Sequence, residues 1–81
     1  MPLIFDKKFP NNTTRHFETN IDNYIIQGSV TIVNANLAMI AFSVSDNRDK
    51  FNTCFCEKKV YEITLDDIRE RVLYCYPERF M

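Results

Sequence analysis

Apolar and polar side chains alternate along the first of two consecutive strand-like stretches, which restricts it to a β-strand. Residues 24–33 place Ile26, Val30 and Ile32 on one face with Gly28, and the polar residues Gln27, Ser29 and Thr31 on the other. A repeat of two residues is that of a strand, whose successive side chains point to opposite faces. Gly28 predicts a bulge or a bend, because a glycine inside a strand weakens regular pairing.

The second stretch, residues 37–45, is largely apolar on both faces. This pattern predicts a strand in the middle of the sheet or beneath a second layer. Residues 13–19 and 51–56 alternate over shorter lengths, and residues 60–63 could extend the latter strand. Polar clusters at 20–23, 34–36 and 46–50 predict the turns between them.

A helix is predicted after the strands. Thr64 and Asp67 have the spacing of a capping box, and Asp66 and Asp67 suit the positive end of the helix dipole. Apolar residues at 65, 68, 72, 75 and 76 form one stripe at helical spacing, and Asp66–Arg69 and Asp67–Arg71 are candidate ion pairs. Pro77 ends the helix near Tyr76.

These elements predict one α+β domain over residues 1–81. An arm at 1–12 is irregular or adds an edge strand at 3–5, with Phe5 and Phe9 holding it to the core. Residues 13–63 form an antiparallel β-meander of four to five strands, residues 64–76 form a helix packed on one face, and residues 77–81 are a tail. A chain of 81 residues is too short for two domains.

Charge and composition exclude several functions. Ten basic and eleven acidic residues give a net charge of −1, which lacks the basic excess of most nucleic-acid-binding proteins. A single glycine cannot build a glycine-rich phosphate loop. The longest apolar run, residues 37–42, is far shorter than the ~18 residues of a membrane span. No export signal is visible at the N-terminus, so we expect a cytoplasmic protein without membrane contact.

Three cysteines, Cys54, Cys56 and Cys75, leave two interpretations open. Together with His16, the only histidine, they could form a zinc site, although the C-x-C spacing on a strand disfavours it. The simpler expectation is three small buried thiols. We therefore expect no metal and no other cofactor.

Catalysis and nucleic-acid binding have few candidate residues. A Cys–His nucleophile pair would need Cys54 to reach His16 across the sheet, so we expect no enzyme and place His16 on an exposed edge strand. Phe51 and Phe55 share a strand face and could stack the bases of a single strand, but packing beneath the helix is the expectation that we prefer.

The outer face of the helix carries the most unusual pattern. Tyr74 falls opposite the apolar stripe and Leu73 lies on its flank, among charges of both signs. Exposed tyrosine beside arginine is typical of protein interfaces. The alternative is an ordinary exposed tyrosine, with Phe80 folded over the core. The candidate protein-binding residues are Leu73, Tyr74, Arg79, Phe80, Asp46, Asp49, Asp66, Asp67 and Glu70.

The sequence therefore predicts a small non-enzymatic protein-binding module, with direct nucleic-acid binding or a zinc-held domain as alternatives. Its size and lack of motifs are common among inhibitors carried by phages and mobile elements, including anti-CRISPR proteins. Acidic residues could meet the basic surface of a nucleic-acid-handling enzyme or complex. A domain this small also gains stability from association, so a homodimer is a further expectation.

Overall fold

Four antiparallel strands pair in chain order, and one helix packs across a single face of the sheet. The computed structural model describes residues 3–46, 48 and 50–76. The strands are β1 (Thr14–Ile21), β2 (Tyr24–Asn34), β3 (Leu37–Ser45) and β4 (Lys50–Glu57), in the order β1-β2-β3-β4. The helix, α1, covers Leu65–Cys75. The predicted α+β meander is confirmed with four strands.

Turns lie near the predicted polar clusters, but Asn20 and Ile21, predicted as part of the first turn, belong to β1. Ile21 pairs with Tyr24, so β1 and β2 are connected by two residues, of which Asp22 adopts a φ of 53°. Short Asx side chains tolerate this left-handed region better than most residues. In the next turn the Asn34 side chain accepts a hydrogen bond of 2.8 Å from the backbone N–H of Asn36.

Gly28 sits in regular pairing, which corrects the prediction of an irregularity there. It lies opposite Phe17 on β1 and Phe42 on β3 without a shift in register. The shift occurs further along β2, between Ile32 and Asn34. The φ of Gly28 is not positive, so neighbouring atoms, and not an unusual backbone, require a glycine.

The arm packs against the segment that precedes α1. Residues 60–63 do not extend β4, because Val60–Glu62 form a 3-10 turn. Leu3 bridges Thr64, and the backbone N–H of Ile4 donates to the carbonyl of Ile63 at 2.8 Å. The arm therefore contributes a bridge and not an edge strand of the sheet.

Phe5 and Phe9 anchor the arm, as predicted. Phe5 is fully buried, and the two ring centroids lie 5.5 Å apart. The guanidinium of Arg15 lies 4.7 Å from the centre of the Phe9 ring and donates to the carbonyl of Ile4 at 3.3 Å. β1 thus supplies a cation that holds the arm in place.

The capping box that begins α1 is confirmed. The Thr64 hydroxyl accepts from the Asp67 N–H at 3.2 Å, and the Asp67 carboxylate accepts from the Thr64 N–H at 3.0 Å. Asp66 pairs with Arg69 at 3.5 Å, as predicted. The predicted Asp67–Arg71 pair is wrong, because Asp67 is used by the cap and Arg71 lies over Phe55.

The core lies between α1 and one face of the sheet. Ile68 and Val72 are the helix residues that are buried in it. Cys75 is exposed, which corrects its place in the predicted stripe. Tyr76 packs instead, because its ring lies 4.4 Å from that of Phe51 and its hydroxyl contacts that of Thr53. No helix in the described part of the chain is long and apolar enough to cross a membrane.

The other side of the sheet, which we call the open face, has no helix packed on it among the described residues. Cross-strand pairing places sixteen side chains there: Thr14, His16, Glu18, Asn20, Ile25, Gln27, Ser29, Thr31, Met39, Ala41, Ser43, Ser45, Lys50, Asn52, Cys54 and Cys56. None of them is buried.

Candidate protein-binding site

A groove of about 760 Å³ runs between α1 and β4. Its floor is apolar and consists of Ile40, Phe55, Ile63 and Ile68. Ile40, Ile63 and Ile68 belong to the buried core, whereas Phe55 is half-buried and shows part of its ring. The groove forms because α1 packs closest to β1 and leaves the edge strand β4 less covered, so that the core-facing residues of β4 are only partly buried.

Arg71 positions a cation at this floor. Its guanidinium carbon lies 4.8 Å from the centre of the Phe55 ring, within the range of a cation–π contact. The Phe55 ring in turn meets Phe42 edge to face, with centroids 6.0 Å apart. The ring is therefore held by the core on one side and covered by a charged group on the other.

The rim of the groove is predominantly acidic. Its charged side chains are Glu57, Lys59, Glu62, Asp67, Glu70 and Arg71. Four carboxylates against two cations leave an excess of two negative charges here, whereas the whole chain carries only −1. Lys59 pairs with Glu62 at 3.9 Å, but both side chains are more than two-thirds exposed, so water and salt screen this pair strongly.

Tyr74 stands at the rim with 81% of its surface exposed. The prediction that this side chain faces water is confirmed. Leu73 is 40% exposed on the adjoining side of α1. A tyrosine in this position offers a large amphipathic ring to a partner at low entropic cost, because it has only two side-chain torsions.

The structure brings only some of the predicted binding residues together. Tyr74, Asp67 and Glu70 line the groove, whereas Leu73 and Asp66 do not. Asp46 lies in the β3–β4 connection, where its carboxylate accepts from the N–H of Arg48 at 2.7 Å. Asp49, Arg79 and Phe80 lie outside the described residues.

Glu57, Glu62, Lys59, Phe55 and Arg71 complete the groove and were missed as binding residues by sequence reasoning. The sequence pattern places Phe55 on a strand face, where it could stack bases or pack beneath the helix, and it gives Glu57 no binding role. Their proximity to Glu70 depends on how α1 lies against β4. No linear spacing encodes that relation.

The cysteines are all exposed free thiols, which corrects the expectation that they are buried. Cys54 and Cys56 project from the open face because they alternate with Phe51, Thr53 and Phe55, which take the core-facing positions. Among residues 3–46, 48 and 50–76, no group of three or more His, Cys, Asp or Glu side chains is arranged to hold a metal ion.

His16 is exposed on the edge strand β1, as predicted. The register places it in the same cross-strand row as Cys54, on the opposite edge of the sheet. Three strand spacings, about 14 Å in total, separate these backbones. Side chains so far apart do not make the hydrogen bond of ~3 Å that a nucleophile and its base require.

Phe51 and Phe55 pack on the helix side of the sheet. Phe51 contacts Tyr76, and Phe55 lies beneath Arg71. Tyr76 and Arg71 each cover part of these rings, which leaves less ring surface for the stacking that single-strand binding would use.

The chain matches no protein-family model, and neither the curated proteins nor the solved structures include one with significant similarity to it. Its function is therefore inferred from the surfaces of this chain.

Proposed function

We propose that the protein is a non-enzymatic protein-binding module that uses the groove between α1 and β4. The observation that carries this proposal is the combination of an acidic rim, an apolar floor and the exposed ring of Tyr74 in one site. The fitting partner is a basic protein segment that also carries an aliphatic or aromatic side chain. Its cationic heads would meet the carboxylates, and its apolar parts would cover Tyr74 and the part of the Phe55 ring that remains exposed.

Basic segments of this kind are frequent on proteins that handle nucleic acids, because such proteins neutralise phosphates with lysine and arginine. Occupying one of these segments would block access of the nucleic acid. This is the mechanism by which a small protein without catalytic residues could act as an inhibitor, including one carried by a phage or mobile element. The acidic rim supports this direction of charge complementarity.

The experiment measures the binding of a fluorescein-labelled peptide rich in arginine and leucine by anisotropy, with an acidic peptide of equal length for comparison. We expect the basic peptide alone to bind, more tightly at about 50 mM than at about 300 mM salt because screening weakens the attraction. Tyr74→Ala and Glu70→Lys should each weaken binding at least about fivefold, a loss typical of interface residues.

Asp6→Lys is the matched control, because Asp6 is exposed on the arm and does not line the groove. It changes the net charge as much as Glu70→Lys does. If Asp6→Lys weakens binding equally, the attraction comes from net charge and the groove is not the site. Absence of binding by the wild-type protein would also reject the proposal.

The nucleic-acid alternative is tested on the same instrument with a labelled single-stranded oligonucleotide. Because Phe51 packs against Tyr76 and Phe55 lies beneath Arg71, we expect no salt-sensitive binding of the oligonucleotide at low or moderate salt. Salt-sensitive binding of the oligonucleotide would favour that function over the proposed one.

A further inference from the structure

The open face has an unusual composition for a solvated sheet surface. Of its sixteen side chains only Glu18 and Lys50 are formally charged, although the chain has ten basic and eleven acidic residues. Ile25 and Met39 are each 44% exposed there. Depletion of charged residues is typical of the buried part of an interface, and methionine is enriched there.

Small side chains on three neighbouring strands give the face a shape suited to packing against a second sheet. Ser29, Ala41 and Cys54 follow one another across β2, β3 and β4. A shallow depression of about 480 Å³ lies along this region, lined by Gln27, Ala41, Ser43 and Asn52 among others. Small side chains let two sheets approach closely, whereas long charged ones would hold them apart.

The area of the face is sufficient for a pair. Four strands spaced at about 4.8 Å and eight residues long at about 3.4 Å per residue span roughly 500 Å². Two copies would therefore bury about 1,000 Å² in total, which is near the lower limit for a specific interface. A dimer of this size is expected to be weak and to form only well above about 1 µM protein.

The two charges make the face complementary to itself. Glu18 lies on the edge strand β1 and Lys50 on the opposite edge strand β4, in neighbouring cross-strand rows. A two-fold axis parallel to the strands places β1 of one copy over β4 of the other. Each Glu18 then lies close to a Lys50 of the second copy, at both edges of the interface.

We propose that the protein forms a homodimer in which the open faces of two copies pack against each other around such an axis. Met39 and Ala41, on a strand that is apolar on both faces, would then be covered by the second copy. This inference is independent of the proposed function, because α1 and its groove lie on the other side of the sheet.

Sedimentation velocity from about 1 µM to about 500 µM tests the proposal. We expect the weight-average mass to rise toward twice the chain mass of 9.6 kDa. Ala41→Glu, which places a charge at the centre of the face, should stay monomeric at the highest concentration. Ala41→Thr, also at this position but uncharged, should still dimerise. Circular dichroism confirms that each variant is folded.

A charge exchange tests the arrangement. Glu18→Lys and Lys50→Glu should each weaken the dimer at least about fivefold, and the double variant should return to within about twofold of wild type. The two side chains stand at opposite edges of one copy, so this compensation arises only between copies. A double variant as weak as the two losses combined would overturn the proposed axis.

Tyr74→Glu should dimerise like wild type, since Tyr74 lies on the helix side. If it is monomeric instead, the helix surface forms the contact and the proposal is wrong. A wild-type protein that is monomeric at every concentration, or an Ala41→Glu variant that dimerises normally, would overturn it as well.

Discussion

The ring of Phe17 covers the backbone of Gly28 on the neighbouring strand. A Cβ atom placed on Gly28 would lie 2.8 Å from Cζ of Phe17 and 2.8 Å from the Cα of Phe42. It would also collide with the carbonyl oxygen of Ala41. Because two of these neighbours are backbone atoms, no change of side-chain rotamer would make room. Covering a strand glycine with a cross-strand aromatic ring is a recurrent way of stabilising it.

Gly28→Ala should therefore destabilise the protein, although alanine normally favours a strand more than glycine does. We expect the free energy of unfolding in urea to fall by about 1–3 kcal/mol, the usual cost of overpacking. Ser29→Ala, on the open face next along β2, should change it by less than about 0.5 kcal/mol. A Gly28→Ala variant more stable than wild type would show that this contact does not require glycine.

The two faces of α1 predict opposite effects of truncation. Val72 is fully buried and Tyr74 is 81% exposed. Val72→Ala should lower the free energy of unfolding by about 1–3 kcal/mol through lost contacts and a residual cavity. Tyr74→Ala should change it by less than about 0.5 kcal/mol. Urea denaturation of both variants provides the comparison, and equal losses would contradict the assignment of the faces.

The sequence predicts elements well where a periodic pattern is bounded by polar turns or a cap. The predicted strand 37–45 has the bounds of β3, and the Thr64–Asp67 cap is present with both hydrogen bonds. In these segments, local chemistry and tertiary packing favour the same conformation.

Prediction fails where the outcome depends on distant partners. Residues 60–63 have side chains that favour a strand. In the structure, however, Val60–Glu62 form a 3-10 turn, and the carbonyl of Ile63 accepts a hydrogen bond from the N–H of Ile4 in the arm. The groove could not be predicted for the same reason. Glu62 and Glu70 line it together only because the folded chain brings α1 beside the segment that follows β4. Of the residues that line the groove, the local pattern identifies Tyr74, Asp67 and Glu70 but not Glu57 and Glu62.

Asp66 and Asp67 are adjacent, yet they should differ in importance. The Asp67 carboxylate accepts from the Thr64 N–H, whereas Asp66 makes a half-exposed ion pair with Arg69. Asp67→Ala should cost about 1 kcal/mol of unfolding free energy, as the loss of a cap does. Asp66→Ala should cost no more than about 0.5 kcal/mol.

Thermal and urea denaturation at constant salt distinguish the two aspartate variants. Both substitutions remove one negative charge near the start of α1, so the effect on the helix dipole is similar and largely cancels in the comparison. An Asp66→Ala variant as destabilised as Asp67→Ala would indicate that charge alone, without the capping hydrogen bond, stabilises this end of the helix.

The three cysteines should be replaceable together. Cys54, Cys56 and Cys75 are exposed free thiols, so their removal leaves no cavity in the core. The triple variant Cys54→Ser, Cys56→Ser, Cys75→Ser should keep its unfolding free energy within about 1 kcal/mol of wild type, the range expected for surface changes.

Native wild-type protein at about 1 µM, below the expected dimer range, should react with three equivalents of a thiol reagent. A chelator should leave its melting temperature unchanged, since a structural zinc ion would contribute folding free energy and its removal would lower that temperature. A loss of several kcal/mol in the triple variant, together with a chelator-sensitive melting temperature, would instead identify the thiols as ligands of a structural metal.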